Sequence, residues 1–174
     1  MSRMWITRRR TIALLVPVAL LALAALVAAP TFADEGRGFK ADLSGYEETP
    51  VTLSTPGHGA FKAMVSGDGA SISYELSYGD LESAAFAAHI HLGMPATTGG
   101  VIAFLCGGGG KPDCPPTGGT VTGMIVAADV IGPAGQGIAA GEFEELLAAM
   151  RVGATYANVH TSTRPGGEIR GLIR

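Results

Sequence analysis

The chain has 174 residues and a formal net charge of −3, from 12 Lys+Arg and 15 Asp+Glu. This length suggests a single domain. Four of the basic residues lie within the first 10 positions, so the rest of the chain has 8 basic against 15 acidic residues, a net charge of −7. An acidic domain lacks the basic surface that nucleic acids require, and it is equally unsuited to anionic membrane surfaces.

The first 33 residues have the pattern of a secretory signal peptide. Arginines precede a continuous apolar run over 12–29, and Thr31-Phe32-Ala33 offers a small-residue cleavage site. We expect cleavage after Ala33, which predicts a secreted, periplasmic or cell-envelope protein without a membrane partner. Two alternatives stay open. The run just reaches the length of an uncleaved membrane anchor, and Arg9-Arg10 also fits a twin-arginine export signal.

Residues 34–174 predict one domain made mainly of short strands. Alternation of apolar and polar residues with a period of two predicts half-buried strands in the first part of this region. The predicted strands cover 39–43, 59–65, 71–78, 85–92, 101–105, 120–126, 154–161 and 168–173. In the fourth strand, Phe86, Ala88, Ile90 and Leu92 are expected to share one face. A hairpin turn is predicted at 66–69, where Gly and Asp tolerate the backbone of a tight turn.

One short helix is predicted between the last strands. Apolar residues recur there at positions i, i+3, i+4 and i+7, namely Phe143, Leu146, Leu147 and Met150. Acidic residues occupy its first turn, which suits the helix dipole, and Gly153 ends it. Many short strands separated by turns rich in Gly and Pro indicate an all-β fold, an antiparallel β-sandwich of the superoxide dismutase-like or immunoglobulin-like kind.

Three histidines are the strongest candidates for chemistry. Successive side chains of a strand point to opposite faces, so His89 and His91 share a face. His160 lies on a later strand. If the fold brings it beside the first two, three imidazoles would form a metal site for copper or zinc. The alternative is that the histidines only pack or form hydrogen bonds.

Polar residues near His160 are predicted to support it. Asn158 shares its face, and Glu168 and Arg170 share a face of the last strand. We expect Glu168 and Arg170 to pair with each other, or to orient the imidazole of His160. His58 lies in a loop rich in Gly and Pro and is expected to be exposed.

The two cysteines, Cys106 and Cys114, are predicted to form a disulfide that closes a short loop, as suits an exported protein. A two-thiolate metal site is the alternative. Hydrolytic catalysis has little support, because no serine lies in a Gly-x-Ser-x-Gly turn.

The order of several motifs resembles the CHRD domain family, first named in chordin. The similarity covers about 39–174. Its marks are Leu43-Ser44-Gly45-Tyr46-Glu47-Glu48-Thr49-Pro50-Val51, Gly59-Ala60-Phe61, His89-Ile90-His91-Leu92-Gly93, Asn158-Val159-His160-Thr161 and Gly166-Gly167-Glu168-Ile169-Arg170-Gly171. The resemblance implies a secreted or cell-surface domain, which in bacteria often stands alone. It implies no defined activity.

A second resemblance concerns the histidines. His89-Ile90-His91 is similar to the His-Val-His copper strand of copper/zinc superoxide dismutases, and His160 is similar in order to their last copper ligand. The chain lacks their bridging histidine and their zinc-binding set. We therefore expect a non-catalytic binding module with a copper or zinc site, whose partner is an extracytoplasmic protein or a small ligand. The alternatives are a copper-dependent dismutase-like enzyme, with Arg164 or Arg170 steering an anion, and a metal-free structural envelope domain.

Overall fold

The computed structural model describes Met1 and residues 37–174, so the predicted signal peptide lies outside the described part apart from Met1. The described residues form eight strands and one α-helix. In chain order the elements are β1 (Gly38–Ser44), β2 (His58–Val65), β3 (Ser71–Gly79), β4 (Ala85–Leu92), β5 (Val101–Cys106), β6 (Gly119–Val126), α1 (Phe143–Arg151), β7 (Thr155–Thr161) and β8 (Ile169–Leu172). Short 3₁₀ turns occupy Gly45–Glu47, Ala127–Asp129 and Ala134–Gln136. None of the described helices is long and apolar enough to cross a membrane.

All eight strands belong to one antiparallel sheet in the order β5-β4-β7-β8-β1-β2-β3-β6. The sheet folds over so that its two halves face each other. The Tyr74 hydroxyl on β3 donates to the Leu105 carbonyl oxygen on β5 at 2.7 Å, although these strands lie near opposite ends of the sheet order. The predicted all-β antiparallel fold with one short helix is therefore confirmed, and the two layers are halves of a single, nearly closed sheet.

The core lies between the two halves, as the period-two pattern predicted. On β3, the alternating Ile72, Tyr74, Leu76 and Tyr78 are all buried. Helix α1 covers part of this core with the predicted apolar stripe Phe143, Leu146, Leu147 and Met150. After the helix, Gly153 takes a φ of 69°, a left-handed conformation that favours glycine.

The predicted alternation in β4 is wrong at Phe86. Ala85 pairs with Thr161 and Ala87 pairs with His160, so Phe86 is the extra residue of a β-bulge. Ala87 and Ala88 are both buried, whereas Phe86 is 51% exposed. The bulge therefore moves Phe86 out of the core.

The junction between the two halves is the pairing of β8 with β1. Ser44 pairs with Arg170, and Lys40 and Arg174 exchange two backbone hydrogen bonds at 2.8 and 2.9 Å. Between these pairs the backbones approach closely at Gly171, where a Cβ atom would lie 2.2 Å from the Asp42 carbonyl oxygen. The junction therefore requires a glycine.

We predict that Gly171→Ala lowers the free energy of unfolding by about 1–3 kcal/mol or more, because the two backbones must separate to admit a methyl group. Chemical denaturation measures this change. Gly135→Ala is the matched control, since a Cβ there meets nothing within 4 Å and its free energy of unfolding should be unchanged or slightly higher. Equal stability of the two variants would contradict this view of the junction.

Candidate metal centre

The pairing of β4 with β7 brings the three histidines together. Ala87 pairs with His160 and His89 pairs with Asn158, so the side chains of His89, His91 and His160 converge on one face of the sheet. Ring centroids lie 4.8 Å apart for His89 and His160, 5.4 Å for His89 and His91, and 5.6 Å for His91 and His160. One nitrogen from each ring can be chosen so that all three lie within 4.8 Å of one another.

The cluster is buried among aromatic rings. His89, His91 and His160 are 9%, 7% and 7% exposed. Phe104 packs edge-on against His89 with ring centroids 4.5 Å apart, and Phe86 lies 6.2 Å from His160. The bulge that exposes Phe86 therefore also places it beside the cluster.

Backbone carbonyls fix the tautomers of two of the histidines. His91 Nδ1 lies 3.0 Å from the Gly99 carbonyl oxygen, and His160 Nδ1 lies 3.1 Å from the Pro165 carbonyl oxygen. Because a carbonyl only accepts, each Nδ1 must carry the proton. In a neutral ring the Nε2 atom then keeps its lone pair, which is the form that binds a metal.

Four nitrogen atoms of the cluster are left without a hydrogen-bond partner among the described residues. They are Nδ1 and Nε2 of His89, Nε2 of His91 and Nε2 of His160. Buried polar atoms are nearly always paired, since leaving one unpaired costs roughly 1–3 kcal/mol. In neutral rings three of these four nitrogens are acceptors, one from each imidazole, and the fourth is the N–H of His89. Three unpaired acceptors in one buried group suggest a ligand.

The electrostatics keep the three rings neutral. Burial, with the neighbouring His160 and His91, lowers the pKa of His89 to about 3. Burial also lowers the pKa of His91 to about 4, although the hydrogen bond to Gly99 opposes this shift. The pKa of His160 is lowered by burial as well, against its hydrogen bond to Pro165. Neutral imidazole is the ligating form at physiological pH.

The predicted supporting residues lie around the cluster with partners of their own. Asn158 donates to Glu48 Oε1 at 2.5 Å and to the Ile169 carbonyl oxygen at 3.0 Å. Burial raises the pKa of Glu48, against the hydrogen bond from Asn158. The contact between Glu48 and Asn158 could not be predicted from the sequence, because Glu48 lies in a loop far from β7 in the chain.

Glu168 and Arg170 do not have each other as partners in the described part of the chain. The fully buried Glu168 accepts from the Thr55 hydroxyl at 2.9 Å, the Glu82 N–H at 2.8 Å and the Thr161 hydroxyl at 2.8 Å. Arg170 donates to the Thr49 hydroxyl and to the Met94 carbonyl oxygen, and its guanidinium lies over the ring of Tyr156. Glu168 therefore joins the loop before β2 to the end of β7, and Arg170 joins β8 to β7.

Two further predictions from the sequence agree with the structure. His58 is exposed, with Nδ1 3.7 Å from the Asp80 carboxylate, away from the three-histidine group. Cys106 and Cys114 form the predicted disulfide, with Cα atoms 5.1 Å apart. A two-thiolate metal site is thereby excluded.

Comparison with known families agrees with the order of these motifs. A family model described as the CHRD domain matches residues 39–173. The chain belongs to the CHRD domain family. No curated protein and no solved structure matches it significantly.

Membership places the three histidines inside a CHRD domain, since all lie within the matched residues. Together with the disulfide, which is typical of oxidising compartments, it indicates an extracellular type of binding module. The histidine cluster of this CHRD domain is its most distinctive chemical feature.

We predict that the free energy of unfolding of the metal-free CHRD domain falls as the pH is lowered from about 6.5 towards 4. His89 and His91 stay neutral in the folded state, whereas the unfolded chain takes up protons near pH 6.5, so protonation favours unfolding. The loss is at most about 1.4 kcal/mol per pH unit for each histidine. Denaturation at several pH values measures it.

The double variant His89→Gln/His91→Gln should show a shallower pH dependence, and His58→Gln should keep that of the unmodified chain. An unchanged slope in the double variant would mean that these two imidazoles are not held neutral by the fold.

Proposed function

We propose that this protein is an exported CHRD domain that binds one copper or zinc ion through His89, His91 and His160 and acts as a non-catalytic binding module. The observation that carries the proposal is the convergence of orphaned, neutral imidazole nitrogens in a buried group. A metal ion would satisfy one lone pair of each ring at once. The predicted signal peptide, the disulfide and the family membership support an extracytoplasmic location.

The chemistry of the donors selects the metal class. Three imidazoles suit copper and zinc, whereas calcium and magnesium take oxygen ligands. For a given nitrogen site, Cu²⁺ binds more tightly than Zn²⁺ in the usual order of divalent metals. Copper is therefore favoured where both ions are available, and three protein ligands leave a position for water or a small ligand.

Binding of a metal ion requires the three imidazole rings to move slightly closer together. Two nitrogens bonded to one metal at about 2.0–2.1 Å lie at most about 4.2 Å apart, and about 3.5 Å apart in a trigonal arrangement. The nitrogens of the cluster lie within 4.8 Å of one another, so small side-chain rotations suffice. His89 has most freedom to adjust, because neither of its nitrogens is held.

The environment of Arg170 argues against the anion-steering role that a dismutase-like enzyme would give it. Arg164 Nε donates to the Glu82 carboxylate at 3.3 Å. Arg170 is 2% exposed and holds Thr49 and the Met94 carbonyl oxygen. The buried Arg170 guanidinium is therefore not free to guide an anion from solvent, whereas the Arg164 side chain is 40% exposed and still faces solvent. The partner of the module would be an extracytoplasmic protein or a small ligand.

We predict that the purified chain binds one equivalent of Cu²⁺ or Zn²⁺ by calorimetry, and that the copper form shows nitrogen hyperfine structure in its electron paramagnetic resonance spectrum. The triple variant His89→Gln/His91→Gln/His160→Gln should lose this binding. The metal affinity of the triple variant should fall by more than the about 10–100-fold that typically follows removal of a group that only supports a metal ligand. His58→Gln is the matched control, because His58 is exposed and outside the cluster.

Equal affinity of the triple variant and the unmodified chain would refute the site. A superoxide assay on the copper-loaded chain separates the binding role from the enzymatic one. Catalysis above that of the triple variant given the same amount of copper would replace the non-catalytic proposal by the dismutase-like one.

A further inference from the structure

Gly99 links His91 to Tyr156 through both of its backbone groups. Its carbonyl oxygen accepts from His91 Nδ1 at 3.0 Å, and its N–H donates to the Tyr156 hydroxyl oxygen at 3.1 Å. His91 and Tyr156 are cross-strand partners of β4 and β7. Their rings stack 4.8 Å apart with planes inclined by 5°. Each of the three residues therefore contacts the other two, and one of them, His91, is a candidate metal ligand.

The loop that carries Gly99 is shaped to fit this arrangement. A Cβ atom at Gly99 would lie 1.5 Å from the Leu92 carbonyl oxygen, and a Cβ at Gly93 would lie 2.8 Å from a ring carbon of Tyr156. Glycine at both positions lets the loop between β4 and β5 close over the Tyr156 ring. The carbonyl of Gly99 is thereby held at hydrogen-bond distance from His91.

Arg170 completes the support of Tyr156. Its guanidinium carbon lies 3.6 Å from the centre of the Tyr156 ring, a cation–π geometry. Tyr156 is only 4% exposed, so its ring is held by His91, Arg170 and the loop together. His160 has a comparable Nδ1 bond to Pro165 but no such stacked neighbour, and neither nitrogen of His89 is held. His91 is therefore the most rigidly positioned of the three histidines.

We propose that Tyr156 is a positioning residue of the metal centre: its hydroxyl fixes Gly99, Gly99 fixes the proton of His91 on Nδ1, and Nε2 of His91 is thereby presented to the metal. The inference rests on the proposed metal binding and deepens it. Partners that hold the second nitrogen of a histidine ligand set its tautomer and orientation, and their removal typically lowers metal affinity about 10–100-fold. Tyr156 acts one step further out, through a backbone carbonyl.

Tyr156→Phe tests the hydroxyl, because it keeps the stacked ring and removes the oxygen that holds Gly99. We expect Cu²⁺ affinity, measured by calorimetry on the full chain, to fall about 10-fold. Nitrogen NMR of the metal-free variant should show that His91 exchanges between its two tautomers instead of keeping the proton on Nδ1. A merely structural role would lower stability without changing the tautomer.

Tyr78→Phe is the matched control. Tyr78 is also a buried tyrosine whose hydroxyl bonds a backbone group, the Pro115 carbonyl oxygen at 2.7 Å, but it lies on β3 away from the cluster. Its removal should leave both the copper affinity and the His91 tautomer unchanged. Copper affinity of Tyr156→Phe within twofold of that of Tyr78→Phe would overturn the inference.

The outcomes separate this inference from the proposed function. If the unmodified chain binds no metal, the proposed function fails, and what is left of the inference is that Tyr156 sets the tautomer of His91: a fixed Nδ1 proton in Tyr156→Phe overturns that. Hydrogen exchange of the unmodified chain is a further test. The amide proton of Gly99 should exchange slowly with solvent because Tyr156 accepts it, and fast exchange would contradict the inference.

Discussion

The antiparallel pairing of β4 (Ala85–Leu92) with β7 (Thr155–Thr161) is the constraint on which the candidate site depends. It places His160 opposite Ala87, so that its ring reaches His89 and His91 on the same face of the sheet. A slip of one residue would turn the His160 side chain to the opposite face of the sheet. The register is held by the core on the other face, where Ile90, Ala157 and Val159 are completely buried.

The same burial that fixes the register gives the histidines their chemistry. Removing imidazoles from water disfavours the charged form, so each ring is neutral and has one nitrogen free to accept. Two of the rings donate their remaining proton to a backbone carbonyl, which is the usual support of a histidine ligand. The cluster thus resembles a metal site in its donors, tautomers and surroundings.

The local part of this arrangement could be predicted from the sequence, because it depends on strand periodicity. Alternation placed His89 and His91 on one face and Tyr156, Asn158 and His160 on another strand face. The contact between the two strands follows from long-range sheet order, which periodicity does not contain. The disulfide followed from the number and setting of the cysteines.

Other features could not be predicted, since they depend on loop conformations and on the β-bulge that interrupts the pairing of β4 with β7. Phe86 left the core because a bulge interrupts β4, and alternation alone gives no sign of it. Glu168 and Arg170 are two residues apart, yet loops from distant parts of the chain supply their partners. The positions of the Gly99 and Pro165 carbonyls, which accept hydrogen bonds from His91 and His160, likewise depend on loop conformation.

X-ray absorption spectroscopy of the copper- or zinc-loaded chain tests the central claim most directly, because it counts the atoms bound to the metal. The account predicts three imidazole nitrogens at about 2.0 Å, with any further ligand being a light atom from solvent. A shell of oxygen atoms alone, or a sulfur atom at about 2.3 Å, would show that the metal is held elsewhere and would contradict the account.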